Sequence, residues 1–369
     1  MIPVRLLVCA GGTGGGVYPA LSVLQALGDE LEDVLWVGGQ GGMEADLVTR
    51  EGIPFQAISA AGVHGVGLRR LPRNTWQLAK GYWQARGIIR SFRPDVLFFT
   101  GGYVAVPVGL AGRRVPTVLY VPDIEPGLAL KSLARLADRI ALTTPDSKAF
   151  FPNHPGLVVT GYPVRQDLLT WRREKARAHF GLDDQQPTLL VFGGSKGARS
   201  INRALLAGLK DLLPHMEVLH ISGQLDWPEV EAARAALPEA LQGRYHAFPY
   251  LHEDMGAALA AADLVVSRAG ASILGEFPLF GLPAVLVPYP YAWRYQQVNA
   301  AYLADRGAAR ILPDEQLADQ LVPTVLGLME DVDARQQMAA AMRRLAQPDA
   351  AQRIAAVIRD AVHREVRKW

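Results

Sequence analysis

Two glycine-rich turns, one in each half of the chain, most constrain what it can fold into. The first, Gly11-Gly12-Thr13-Gly14-Gly15-Gly16, follows the apolar run Val4–Cys9. The second, Gly193-Gly194-Ser195-Lys196-Gly197-Ala198, follows Thr188–Phe192. Each leads into residues with helical spacing. A buried strand that feeds a tight glycine turn and then a helix leaves backbone N–H groups pointing outward at the positive end of the helix dipole. That arrangement suits an anion. Two such units predict two nucleotide-binding-like halves.

The rest of the chain fits this pattern. With 369 residues, two domains of roughly 150 residues or more are expected. Strand-length apolar runs occur at Val4–Cys9, Val34–Gly38, Val96–Thr100, Thr117–Tyr120 and Arg139–Thr143, then at Leu189–Phe192, Glu217–Ser222, Leu264–Ser267 and Ala284–Pro288. Most are continuous rather than alternating, so both faces should be covered, and helical segments lie between them. The expected fold class is α/β, with doubly wound parallel sheets. The predicted divisions are 1–163, 164–348 and an amphipathic C-terminal helix over about 349–369, whose packing the sequence alone leaves open.

Composition excludes several functions. A formal net charge of +2 argues against nucleic acid as a partner. The single cysteine, Cys9, rules out an internal disulfide framework, reads as a small buried hydrophobe and suggests a reducing cytosol. No secretory leader is recognisable. No apolar run reaches the ~18–20 residues that span a bilayer, so any membrane contact is made from one side. Leu68 to Arg93 supplies that contact: it carries seven Lys/Arg residues and no acid, interleaved with Trp76, Tyr82, Trp83 and aliphatic residues. It reads as a basic amphipathic helix for anionic lipid, part of which must also pack on its own sheet.

Neither glycine turn is a dinucleotide fingerprint. Val17 stands where the third glycine would be, and the second strand ends at Gly38-Gly39 without an acid. Neither is a P-loop. Taken singly, each turn is also compatible with a plain strand-to-helix connection. Three further segments favour phosphate binding. After Ser267 a small-residue turn runs to Glu276, whose carboxylate can accept two hydrogen bonds from a ribose diol or simply complement a helix dipole. Pro288-Tyr289-Pro290 leads to Gln296, which can donate to and accept from sugar hydroxyls or lie idle on a surface helix. Gly161-Tyr162-Pro163-Val164-Arg165 places an arginine able to fork onto a diphosphate, or an ordinary surface arginine. Asp331-Val332-Asp333 reads as a solvated helix face, and no His/Cys cluster has metal-ligand spacing. Neither metal nor cofactor is expected.

Together these motifs resemble the MurG family of UDP-N-acetylglucosamine–N-acetylmuramyl-(pentapeptide) pyrophosphoryl-undecaprenol N-acetylglucosaminyltransferases. Met43-Glu44-Ala45-Asp46, Gly101-Gly102-Tyr103, Arg268-Ala269-Gly270-Ala271 and Gly281-Leu282-Pro283 add to the likeness, which covers nearly the whole chain. It implies a GT-B fold, two Rossmann-like domains facing across a cleft, with the last helix returning to the N-terminal domain. It implies inverting transfer of GlcNAc from UDP-GlcNAc to lipid I, giving lipid II for the cell wall, at the cytoplasmic face of the membrane. Carried over residue by residue, Arg165 and Ser195 hold the donor diphosphate, Glu276 the ribose and Gln296 the GlcNAc hydroxyls. Ala271, Ile273 and Tyr295 complete the donor site. Thr13, Gly14, Gly15 and Gly16 face the acceptor diphosphate and donor sugar.

The chain departs from the family at Gly16, where a histidine is usual, and at Tyr120-Val121-Pro122-Asp123, where His-Glu-Gln-Asn is common. Candidate bases for the attacking hydroxyl are therefore Asp123, Glu125 and His64, with Asp123 first because it aligns with the family's cleft loop. Asp123 is equally readable as a turn or cap residue. Competing readings are a transferase with another lipid acceptor, a UDP-GlcNAc 2-epimerase, and a UDP-sugar-binding protein with reduced catalysis.

Overall fold

The continuous apolar runs become parallel strands covered on both faces. The structure, a computed structural model, describes residues 3–11, 14–42, 44–60, 71–194, 197–291 and 294–366. The chain forms two compact units, Met1–Val164 with Pro348–Trp369, and Arg165–Gln347.

The first unit is built on a seven-stranded sheet ordered β3-β2-β1-β4-β5-β6-β7. Its strands are β1 (Val4–Cys9), β2 (Leu31–Gly39), β3 (Phe55–Ile58), β4 (Val96–Phe99), β5 (Thr117–Val121), β6 (Arg139–Leu142) and β7 (Leu157–Val159), and all neighbours run parallel. The second unit carries a six-stranded sheet ordered β10-β9-β8-β11-β12-β13. Its strands are β8 (Thr188–Phe192), β9 (Glu217–Ile221), β10 (Tyr245–Phe248), β11 (Leu264–Ser267), β12 (Ala284–Leu286) and β13 (Ala309–Ile311), again all parallel. The direction of winding reverses between β1 and β4 in one sheet and between β8 and β11 in the other. In open parallel sheets, ligands sit outside the strand C-termini at that reversal. Both glycine turns lie there.

Four strands lack a counterpart among the sequence-predicted runs: β3, β7, β10 and β13. All four are sheet edges. They are three or four residues long and partly exposed, so they lack the continuous apolar signature of the central strands.

Three helices of the first unit position its functional surface: α1 (Gly14–Leu27), α2 (Glu44–Arg50) and α3 (Leu71–Phe92). The C-terminal helix Ala350–Val366 packs on α1 and on β4, β5 and β6. It is tied down by Arg359–Glu30 at 2.7 Å and Arg139–Asp360 at 2.9 Å. In α3, Ala85 is buried, while Ile88, Ile89 and Phe92 pack against the core. Close docking depends on Gly81, because a β-carbon there would lie 2.1 Å from the Ser59 carbonyl oxygen. Gln84 secures the same strand end by accepting from Ser59 N at 2.8 Å. Replacing Gly81 by Ala is expected to cost about 2 kcal/mol or more through forced backbone movement. Gly87→Ala, with nothing within 4 Å of its new β-carbon, should instead stabilise by about 0.5–1 kcal/mol. Urea unfolding of the two variants checks the pair.

Candidate functional site

In the second unit, the nominated donor residues gather at the C-terminal ends of the adjacent strands β8, β11 and β12. After β8 the chain turns through Gly193, Gly194 (φ 86°) and Gly197 (φ 75°) into the helix Arg199–Leu212. A β-carbon on Gly193 would meet Ala198 N at 2.2 Å, and one on Gly197 would meet the Ser222 carbonyl oxygen at 2.3 Å. Only glycine fits this crossing of backbones. Ser195 lies outside the described residues.

After β11, residues Arg268–Gly270 lead to a short 3-10 turn at Ala271–Leu274 and then to the helix Glu276–Phe280. Ala271 and Ile273 are buried. Phe277 packs edge-on against Phe192 with ring centroids 6.2 Å apart, which brings Glu276 alongside the end of β8. Crowding by protein atoms pushes the Glu276 carboxyl above the usual carboxylate range. The Ser272 hydroxyl, which donates to it, and the Arg165 guanidinium pull it back. Arg165 and Glu276 therefore share one electrostatic neighbourhood. Arg165 also has Asp167 at 3.6 Å.

After β12, the Gln296 side-chain oxygen accepts from Tyr289 N at 2.8 Å, so part of its hydrogen-bonding capacity already fixes the Pro288–Tyr289 turn. Tyr295 opens the helix Tyr295–Ala304 beside it. On the buried face of that helix, Asn299 donates to the Ala269 carbonyl at 3.1 Å and fastens the helix to the turn that leads to Glu276.

Sequence reasoning placed Arg268 in a motif but missed that it links these strand ends. Arg268 donates to Asp314, to Ser200 Oγ at 2.8 Å and to the Val287 carbonyl at 3.2 Å, and lies 5.2 Å from the centre of the Tyr289 ring. Ser200 Oγ in turn donates to Asp314 at 2.8 Å. Nothing local in the sequence signals a pair 46 positions apart. Asp331 caps the helix Val332–Arg343 by accepting from Ala334 N at 2.8 Å. Among the described residues there is no group of three or more metal-ligating side chains.

In the first unit, the corresponding surface lies beyond β1, β4 and β5. Thr13 and His64 lie outside the described residues, and Gly14 and Gly15 open α1. Gly16 is buried, and its carbonyl accepts from Thr100 Oγ1 at 2.8 Å. Gly102 (φ 87°) sits against Gly11, whose carbonyl oxygen would be 3.1 Å from an added β-carbon. The Trp36 indole holds the end of β1 by donating to the Ala10 carbonyl at 3.0 Å. Glu44 is buried and accepts from Gly39 N at 2.9 Å, bracing the glycine turns from beneath. Beside it, burial pushes the Cys9 thiol far above its usual range, so it supplies no nucleophile.

Asp123 sits on a partly exposed turn after β5. Thr143 Oγ1 donates to the Val121 and Pro122 carbonyls, each at 2.9 Å, and so accepts from the buried Tyr120 hydroxyl at 2.7 Å. That staple fixes the turn. Burial raises the Tyr120 phenol well above its ordinary value, and the Asp123 charge raises it further. Glu125 is buried and paired with Lys131 at 3.0 Å. On α3, Trp76 and Trp83 are 72% and 68% exposed, two turns apart on the face away from the core. With Ala79, Lys80 and Gln84 they line a shallow apolar groove.

Comparison with known proteins gives these surfaces a context. The glycosyltransferase family 28 N-terminal domain matches residues 6–142, and the family's C-terminal domain matches residues 188–354. A UDP-N-acetylglucosamine–N-acetylmuramyl-(pentapeptide) pyrophosphoryl-undecaprenol N-acetylglucosamine transferase of Roseiflexus sp. (strain RS-1) is 45% identical, over 98% of this chain and 96% of the relative. One of the same description from Desulforamulus reducens is 38% identical, over 94% and 96%. The crystal structure of Acinetobacter baumannii MurG superposes with a TM-score of 0.78 at 30% identity, covering 97% of this chain and 100% of that one. A UDP-GlcNAc 2-epimerase from Neisseria meningitidis reaches 0.68 at 14% identity, covering 96% and 99%, a likeness of fold alone.

The Arg268–Asp314 pair is largely buried, with side chains 10% and 22% exposed. Removing one partner should leave an uncompensated charge. Asp314→Ala is expected to cost about 3 kcal/mol, and the double change Arg268→Met with Asp314→Leu should recover most of that loss. Thermal unfolding of the single and double variants tests this.

Proposed function

Because the chain belongs to glycosyltransferase family 28 and, within it, to the MurG transferases, we propose that it transfers GlcNAc from UDP-GlcNAc to the MurNAc hydroxyl of lipid I, giving lipid II with inversion at the anomeric carbon. The observation that carries this reading is the gathering of Arg165, Glu276 and the Gln296 loop around the second glycine turn within one unit. Those groups match a nucleotide sugar part by part. A guanidinium and helix N-terminal amides suit the diphosphate, a carboxylate the ribose diol, and an amide the sugar hydroxyls.

The chemical step replaces a diphosphate with a hydroxyl at the anomeric carbon. Negative charge grows on the β-phosphate as its bond breaks. Arg165 and the N–H groups of the second glycine turn lower the barrier by meeting that charge in place. The acceptor hydroxyl loses its proton to Asp123, which the Tyr120–Thr143 staple holds on a fixed turn. Glu125 serves less well, since Lys131 already claims its carboxylate. Relatives with near full-length identity carry the transferase description, so the epimerase reading has the weaker support.

No described helix is long and apolar enough to cross a membrane. We propose peripheral binding to an anionic lipid surface at the cytoplasmic face through α3. Its outward tryptophans would enter the interface, and Lys80 and Arg90 would meet headgroup phosphates.

Turnover of UDP-GlcNAc with a lipid I analogue, with the product mass measured, tests the transfer. Consumption of UDP-GlcNAc without acceptor would overturn it in favour of epimerisation. Asp123→Asn should reduce kcat by about 100-fold or more while UDP affinity is unchanged. Glu276 must be ionised to accept two ribose hydrogen bonds, and its pKa lies above the ordinary carboxylate value. Uridine affinity should therefore fall as pH drops through that elevated pKa. Arg165→Ala removes a lowering influence and should move the fall to higher pH, visible in calorimetric titrations at a series of pH values. Trp76→Ala and Trp83→Ala should each weaken co-sedimentation with anionic vesicles by about 10-fold. Equal binding to neutral vesicles, insensitive to salt, would overturn the lipid assignment.

A further inference from the structure

Beneath the second glycine turn runs a buried polar line that the transfer chemistry does not use. The Tyr245 hydroxyl lies 2.7 Å from His220 Nδ1, and His220 Nε2 lies 3.0 Å from Asn202 Oδ1. Asn202 Nδ2 donates to the Ser222 carbonyl at 2.8 Å and to Asp226 Oδ2 at 2.9 Å. Asp226 Oδ1 accepts from Arg199 Nε at 2.9 Å. Tyr245, His220 and Asn202 are buried.

The proton positions in this line follow from its chemistry. Burial pushes the His220 pKa down to about 3, so the ring is neutral and carries one N–H. The Asn202 oxygen can only accept, which puts that proton on Nε2. His220 Nδ1 is then an acceptor, and the Tyr245 hydroxyl donates to it. Each N–H and O–H of the line has its own acceptor, and the line has a single direction from β10 to Asp226.

Apolar side chains of similar volume would fill this space without the cost of burying polar groups. What they would not do is fix the Asn202 amide. That amide holds the Ser222 carbonyl, the same atom against which Gly197 closes without a side chain. The Asn202 backbone N–H donates to the Ala198 carbonyl at 2.9 Å. Arg199 is held through Asp226. On the opposite flank Ser200 is held by Arg268 and Asp314. The first turn of the helix Arg199–Leu212 is therefore gripped from two sides. Each gripping carboxylate is neutralised by an arginine, so neither repels an anion.

We propose that Tyr245, His220 and Asn202 are positioning residues that set the phosphate-facing turn of the donor site, an inference that rests on the donor reading above. The test uses the full chain with UDP as the probe, in calorimetry and donor-dependent kinetics. Asn202→Ala and His220→Phe should each weaken UDP binding by about 5- to 10-fold, the scale of a lost buried hydrogen bond. The donor KM should rise in parallel, and kcat at saturating donor should hold. His220→Gln retains one donor and one acceptor and should restore most of the affinity. Tyr245→Phe removes one hydroxyl and should give a loss of about threefold; it decides the matter if Asn202→Ala does not fold. A lowered melting temperature with UDP affinity unchanged well below it would overturn the proposal, leaving the line a purely structural role. If the unsubstituted protein fails to bind UDP, the donor reading falls and takes this inference with it. If it binds and all the variants bind equally well, only this inference falls.

Discussion

Both candidate surfaces depend on the close crossing of backbone segments where the winding of a parallel sheet reverses. At the end of β8, Gly197 presses on the Ser222 carbonyl; at the end of β1, Gly102 presses on Gly11. A side chain at these crossings would push apart the turns that present N–H groups to a ligand. The sheets supply the other half of the constraint. Because every strand is parallel, all their C-terminal ends open on one edge. Loops from strands distant in sequence therefore meet there without any loop being long. Glu276 and Gln296, on the segments after β11 and β12, share a surface for that reason.

Crowding backbone in this way brings acids close to the surfaces proposed to meet anions, and four of them are occupied by partners. Asp226 is matched by Arg199, Asp314 by Arg268 and Glu125 by Lys131, while Glu44 accepts a backbone N–H. A buried, occupied carboxylate braces a turn without repelling phosphate, which an exposed one would do. Glu276, which accepts from Ser272, differs in how it titrates. Its carboxyl lies above the ordinary range because burial outweighs the help of Ser272 and Arg165. A ligand that donates two hydroxyl hydrogens would supply the stabilisation the site lacks.

The central strands were legible because a strand buried on both faces must be a continuous apolar run, and the glycine turns because only glycine tolerates their crossings. The edge strands β3, β7, β10 and β13 were not legible, since a short, half-exposed segment such as Phe55–Ile58 carries no distinctive period. The candidate donor residues stand out in the sequence through their motifs, but their supports do not. Asp314 and Asp226 look like ordinary helix-flanking acids, and His220 looks like one polar residue inside an apolar run. Their roles come from pairings across the sheet that no local pattern encodes. The basic stretch on α3 is expected to pack in part on its own sheet, but which residues do so is not legible: Ile88, Ile89 and Phe92 face the core, whereas Trp76 and Trp83 face outward.

Gly16 ties the two surfaces to one chemical question. The family resemblance would put a histidine at its place, but the glycine fits tightly here: Thr100 donates to its carbonyl, and a β-carbon would stand 3.2 Å from the same hydroxyl. In the proposed transfer, with glycine at that position, acids on the neighbouring strand ends are candidates to take the proton of the attacking hydroxyl. Glu44 is buried and holds Gly39 N–H; Glu125 is buried and holds Lys131. Of these three acids only Asp123 keeps part of its surface exposed. It stands on a turn that Thr143 pins through two carbonyls, with the Tyr120 hydroxyl behind it. A base must be rigidly placed and reachable by water-sized groups at once, and among the three that combination occurs at Asp123.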